Sequence, residues 1–189
     1  MNVTKISIVV FLACFTQLAH SQESIHWMSW DEAIAKSKIT KKKIFIDVYT
    51  DWCGWCKKMD KTTFQNPEVI NLINENYYPV KFDAEYKKDI ELNGNTYKYV
   101  SSGRRGYHEL ASALLRGRMS YPSIVFLNED FELIQPIQGF QDAENLEMML
   151  SYFAGNYHKT TPWKRFMANY HSEEKPTQKT VPVKYQPSN

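Results

Sequence analysis

Cys53-Gly54-Trp55-Cys56 is where residue type and spacing in this chain meet chemistry most directly. Two thiols separated by two residues in helical geometry can form a disulfide with each other or exchange with one elsewhere. If the first stands at a helix N-terminus, the unbonded amides and the dipole there stabilise a thiolate. They move its pKa from about 8.5 toward the ~3.5–7.5 range of reactive cysteines. Cys53 would then attack a substrate disulfide, and Cys56, one turn further in, would resolve the mixed disulfide. As a staple the pair does little, because so short a loop hardly constrains the unfolded chain. A metal site is a rival reading. Zinc takes four nitrogen or sulfur ligands, so His26, His108, His158 or His171 would have to complete the set, and none stands at a paired spacing. A binding module that keeps the fold and works through its surface is a second alternative.

The elements around the pair must place it. Ile44 to Tyr49 is a near-continuous apolar run rich in β-branched and aromatic residues, which predicts a strand buried on both faces just ahead of the cysteines. Helix then resumes at the cysteines and runs to about Phe64. Upstream, Ser29 and Glu32 have the capping-box spacing for a helix over about 30–38, and Lys41 to Lys43 read as a solvated loop before the strand. Downstream, Asn66-Pro67 starts a helix with the stripe Val69, Ile70, Leu72 and Ile73, and Tyr78 to Asp83 forms the next strand, with Pro79 near its start.

The alternation breaks over 84–106. Asn93-Gly94 signals a turn, and Ser101 to Gly106 reads as a flexible basic loop, so a small hairpin or irregular insertion is expected. A helix over about 107–116 follows, then a hairpin of Ser123–Asn128 and Phe131–Gln138, with Pro136 marking an edge or bulge. Asp142 caps a helix with Leu146, Met149, Leu150 and Phe153 on one face, closing at Gly155. Thr161-Pro162 begins another, with Trp163, Phe166, Met167 and Tyr170 on one face. The 18 residues after His171 hold three prolines and no periodicity, which predicts a disordered tail over 172–189. The order is βαβ, helix, β-hairpin and helix on one central sheet, an α/β layered domain over 22–171.

The run from Phe45 through Asp47, Trp52, Cys53, Gly54, Trp55 and Cys56 to Lys57 resembles the active-site segment of the thioredoxin superfamily. Its extension, Lys58 to Phe64 and then Asn66 to Val69, is closer to exported thioredoxin-like proteins. It is similar also to the carboxyl-terminal domain of the periplasmic thiol:disulfide interchange reductase. The resemblance covers roughly residues 27–155. It implies a mixed sheet with helices on both faces and thiol-disulfide exchange through Cys53 and Cys56. It also implies that Asp47 is a buried acid receiving the proton of the second cysteine, in keeping with the raised pKa expected of a carboxyl in an apolar strand. Tyr121-Pro122 matches the family's cis-proline turn, whose backbone would bind an extended substrate together with Trp52 and Trp55. Taken alone, Trp52 could equally be a core residue. Trp55 stands where thioredoxins carry proline and the oxidase families histidine, so the direction of exchange stays open. The insertion at about 86–106 and the helix near 162–170 have no counterpart in a minimal thioredoxin.

The chain has 189 residues, 43% hydrophobic and 23% charged, with Lys and Arg 23 against Asp and Glu 21, a net charge of +2. So even a balance gives no electrostatic support to a nucleic-acid role, and three cysteines cannot make a disulfide scaffold. Residues 1–21 carry one charge, Lys5, then the apolar run Ile6–Phe15, with the small residues Ala19 and Ser21 ahead of Gln22. This reads as a signal peptide cleaved after Ser21; the run is short of the ~20 apolar residues a spanning helix needs. Lipidation at Cys14 is the lesser alternative, since Leu12 stands where a lipobox has a small residue. Cleavage would leave Cys53 and Cys56 as the mature protein's thiols, in a periplasmic or secreted setting. Partners expected on this reading are disulfide-containing exported proteins and a membrane thiol-electron donor, because no Gly-x-Gly-x-x-Gly nucleotide fingerprint is present. No metal or organic cofactor is implied.

Overall fold

The structure is a computed structural model, and it describes residues 23–103 and 105–170. The signal peptide with Cys14, His171 and the tail over 172–189 lie outside the described residues. The first helix, α1 (Trp30–Ile39), starts in the expected capping box: Ser29 accepts from the Glu32 amide while Glu32 reaches back to the Ser29 amide. Strand β1 (Lys43–Tyr49) follows, buried along almost its whole length. Lys43 departs from the expected solvated loop. It is the first residue of β1, its stem buried and its ammonium 2.8 Å from Glu129, while Lys41 pairs with Asp130.

Helix α2 (Gly54–Lys61) is shorter than its sequence predicts. It stops at Thr62, and a 3-10 turn covers Thr63–Gln65. The β-branched pair Thr62-Thr63 favours that break, and the buried Thr63 hydroxyl donates to the Gln141 carbonyl at 2.6 Å instead of facing solvent from a continued helix. Helix α3 (Pro67–Asn76) begins at Asn66, whose side chain accepts from the amides of Glu68 and Val69. It leads directly into β2 (Tyr77–Asp83).

The irregular stretch contains two small ladders. Strands β3 (Ile90–Leu92) and β4 (Asn95–Tyr97) close over Asn93-Gly94, both at positive φ as a tight hairpin turn needs. Strands β5 (Tyr99–Val100) and β6 (Tyr107–His108) pair across the basic loop. Helix α4 (Glu109–Leu114) is shorter than the expected 107–116, because His108 belongs to β6 and caps the helix, its ring Nδ1 accepting from the Leu110 amide. Next come β7 (Ser123–Leu127) and β8 (Leu133–Gln138). The second strand starts two residues later than expected, since Phe131 takes a left-handed φ of 63° in a turn held by the Asn128 side chain. Helices α5 (Ala143–Ala154), capped by Asp142, and α6 (Trp163–Tyr170) are the last helices of the described residues.

The main sheet has the order β2-β1-β7-β8, with β1 parallel to β2 and antiparallel to β7. Pro136 lies on the edge strand β8, where its missing donor costs least. Side chains alternate across β1. Ile44, Ile46 and Val48 enter one core with α1, α4 and the β3–β4 hairpin; Phe45 enters the other with α2, α3 and α5. Asp47 shares the parity of Phe45, so it points to the side of the sheet that carries α2.

Candidate active site

β1 delivers the chain to a tight turn in which the Cys53 amide donates to the Thr50 carbonyl. Cys53 is the N-cap of α2, in extended conformation, and its Sγ accepts from the Cys56 amide at 3.0 Å. Cys53 and Cys56 are joined as a disulfide, S–S 2.10 Å, with Cα atoms 5.3 Å apart. The first turn of α2 has no acidic residue. A thiolate at Cys53 would therefore meet a free helix end and a directed N–H without an adjacent carboxylate in that turn, which favours its charged form. Both cysteines are buried, Cys53 at 5% and Cys56 at 3% exposure.

The two tryptophans are the exposed part of this region, Trp52 at 49% and Trp55 at 57%. Trp52 is held on three sides. Its indole N–H donates to Glu85 at 3.1 Å, its ring meets Tyr121 edge-on at 5.8 Å, and the Arg105 guanidinium lies 4.4 Å above it. Trp55 packs on Phe140 at 5.4 Å, with the Lys58 ammonium 4.7 Å above its ring. The Tyr121-Pro122 bond is cis, as the family resemblance implies. The Pro122 carbonyl accepts from the Gly139 amide at 2.8 Å, and Gly139 has a φ of 90° that only glycine adopts without strain. That bond ties the proline turn to Phe140, and thereby to Trp55.

Asp47 lies 1% exposed beneath α2. Its carboxyl is pushed up to about 6, chiefly by burial, with Lys81 opposing the shift. Asp47 and Lys81 are register partners on β1 and β2, and the Lys81 ammonium donates to Asp47 Oδ2 at 2.9 Å. The same ammonium also bonds Asp60. Rings of Trp27, Tyr49 and Phe64 lie 5.1–5.3 Å from it. Burial draws the Lys81 pKa down, but Asp47 and Asp60 together carry it above the ordinary lysine value. Asp47 Oδ1 has no hydrogen-bond partner among the described residues. Lys81 and Asp60 were missed at the sequence level, although each carries a signal: Asp60 stands one helical turn after Cys56, and Lys81 is a charge between the apolar Val80 and Phe82. Glu85 and Arg105 had none, because they reach Trp52 from a segment without periodicity.

Two of the histidines offered for a metal site, His108 and His158, pack away from the cysteines. His108 is buried with both ring nitrogens bonded, Nδ1 to the Leu110 amide and Nε2 to the Lys88 carbonyl. His158 packs on Tyr152 and Phe153. Among the described residues no three His, Cys, Asp or Glu side chains gather into a metal-binding group.

Residues 14–134 match the family model described as Thioredox_DsbH, protein of unknown function, DUF255. An uncharacterised protein of Caenorhabditis elegans is 31% identical over 123 residues, covering 65% of this chain and 14% of that protein, so this chain spans only a small part of that relative. The thiol:disulfide interchange protein DsbD of Vibrio vulnificus is 33% identical over 63 residues, 32% of this chain and 10% of that protein. A thioredoxin-fold protein from Helicobacter pylori superposes with a TM-score of 0.51 at 17% identity, over 70% of this chain and 81% of that one. The fold is therefore thioredoxin-like: a mixed sheet with helices on both sides and a bonded Cys-x-x-Cys pair at the start of a helix.

Proposed function

This chain belongs to the Thioredox_DsbH family, and from that premise we propose that it is an extracytoplasmic thiol-disulfide oxidoreductase working through Cys53 and Cys56. The observation that carries this reading is the disulfide at the start of α2, with the Cys56 amide directed at Cys53 Sγ. In the reductive direction, the Cys53 thiolate attacks one sulfur of a substrate disulfide. That bond breaks, a Cys53–substrate bond forms, and the departing sulfur takes up a proton. Cys56 then loses its proton, attacks Cys53 Sγ and releases the second substrate thiol. Two electrons and two protons have passed to the substrate, and the Cys53–Cys56 bond of the structure is regenerated. Asp47, poised near neutral pH beneath the helix, is the acceptor for the Cys56 proton. Lys81 stabilises the carboxylate form and so keeps that acceptor usable.

Tyr121 and Pro122, with Trp52 and Trp55, line the approach to the pair. Neither the N–H nor the C=O of Tyr121 is hydrogen-bonded among the described residues, so an extended substrate could add its own backbone there. No described helix is long and apolar enough to cross a membrane. The expected substrates are disulfide-containing exported proteins, with electrons supplied by a membrane thiol donor.

The test is an insulin-reduction turbidity assay with dithiothreitol as the source of electrons. Precipitation should be accelerated by the native protein, abolished by Cys53→Ser and unaffected by chelator, and Cys56→Ser should trap a mixed disulfide. Alkylation of the reduced protein in mild acid should label Cys53 ahead of Cys56. The reverse order would undo the division of labour, and an inert native protein would undo the enzyme reading.

A further inference from the structure

Each exposed tryptophan beside the disulfide lies beneath a cation: Trp52 under Arg105, and Trp55, with its neighbour Phe140, under Lys58. A cation over a ring at an exposed site gains only a weak attraction to the face of the ring. Such a contact orients the charge without neutralising it. Among the described residues, Arg105, Lys58 and the adjacent Lys57 form no ion pair with a carboxylate, as is true of most described lysines and arginines, so their charge is open to a ligand. The acids in the same neighbourhood are Glu85, with one oxygen occupied by the Trp52 indole, Asp83, whose charge with that of Glu85 bears on Tyr121, Asp51 on the turn before Cys53, and Asp60 on α2, which is bonded to Lys81.

The two ring-backed cations are joined through one turn. Trp52 leans on Tyr121, Trp55 on Phe140, and the Gly139 amide is bonded to the Pro122 carbonyl. A segment laid along the unpaired backbone of Tyr121 would therefore have a positive charge at each aromatic flank. Resting on the exchange reading above, we propose that this protein selects disulfide-bonded segments with aspartate or glutamate side chains next to the reacting cysteine. Arg105 and Lys58 receive those carboxylates. On this view the insertion has a task. It returns Arg105 to Trp52 between β5 and β6, and the β6 end is fixed to the domain by the bond from the His108 amide to the Ala84 carbonyl. Charges at the rim of an encounter surface act mainly through association and are screened by salt, so selectivity should appear in kcat/KM and fade as salt rises.

The experiment uses the reduced full chain and three peptides, each with one cysteine disulfide-bonded to uncharged mercaptoethanol and flanked by glutamates, glutamines or lysines. Rates of reduction are divided by those with dithiothreitol alone, which removes the effect of the flanks on the intrinsic reactivity of the disulfide. At about 20 mM salt the glutamate peptide should react about tenfold faster than the lysine peptide, narrowing to within about twofold at about 0.5 M. In the K58Q/R105Q double variant the ratio should fall close to one even at low salt. Because the ratio is read within each protein, a general loss of activity cannot imitate that result. A wild-type ratio near one at low salt overturns the proposal, as does a ratio that survives high salt or the double substitution. Should the variant not fold, the salt dependence of the native protein decides. Uncharged bis(2-hydroxyethyl) disulfide separates the two levels. If the native protein reduces it and all peptides equally, only the selectivity falls; if it reduces none of them, the exchange reading falls as well.

Discussion

The two faces of β1 are equally buried and chemically opposite. Ile44, Ile46 and Val48 close a hydrocarbon core against α1 and α4. One residue over, Phe45 and Asp47 face α2, and the carboxyl is bridged to a second acid by a lysine that lies among aromatic rings. Hydrocarbon on the first face stabilises the fold by about 25 cal/mol for each Å² removed from water. A carboxyl on the second works against it, since its charged form is costly to bury. A stretch of one strand thus serves stability on one side and proton chemistry on the other. Burial alone therefore does not identify a structural residue.

Substitutions on each face of β1 separate the two roles. The largest effect is expected at the end of the chemical face: Cys53→Ser should lower disulfide reduction at least about a thousandfold, measured with insulin, while the reduced fold keeps its urea midpoint. On the hydrocarbon face, Ile46→Ala should cost about 3–4 kcal/mol in urea unfolding by leaving a cavity. The fraction still folded should exchange disulfides at the native rate, and a matching drop in that rate would mean the two faces are coupled.

Asp47→Asn should act with the opposite sign. The folded-state value of about 6 lies above the unaltered 3.8, so between these values the folded protein keeps a proton that the unfolded chain has lost. This group's contribution therefore favours folding most at acid pH, and that advantage is lost as pH rises through the folded value. Removing the carboxyl should raise the stability of the oxidised protein by about 1–3 kcal/mol at about pH 8, with Lys81 keeping Asp60, and by much less at about pH 4. Resolution of the mixed disulfide should slow. A gain of equal size at both pH values would mean that ionisation is not what burial penalises here. The smallest effect is expected at Ser29→Ala, on α1 behind the hydrocarbon face. Loss of the capping bond should cost about 1 kcal/mol in urea unfolding and leave exchange rates unmoved.

Local rules carried much of this far from the sequence. A buried strand followed by Cys-x-x-Cys at a helix start, the caps at Ser29, Asn66 and Asp142, and the turn at Asn93-Gly94 each depend on residues within one or two turns of one another. Side-chain spacing and capping chemistry are short-ranged, so they can be read along the chain. Helix ends were less legible where a distant partner set them, as Gln141 does at Thr63 and the β5–β6 ladder does ahead of α4. The surroundings of the cysteines follow from long-range contacts. Lys81 meets Asp47 because β1 and β2 are parallel in one register, across a separation of 34 residues. Asp60 joins them because α2 lies on the same side of the sheet. Arg105 and Glu85 reach Trp52 because an aperiodic insertion folds back over the active turn. Charged and aromatic contacts of this kind depend on distance in space and leave no period along the chain. The sequence therefore determined the reactive pair, and the fold determined the charges that tune and surround it.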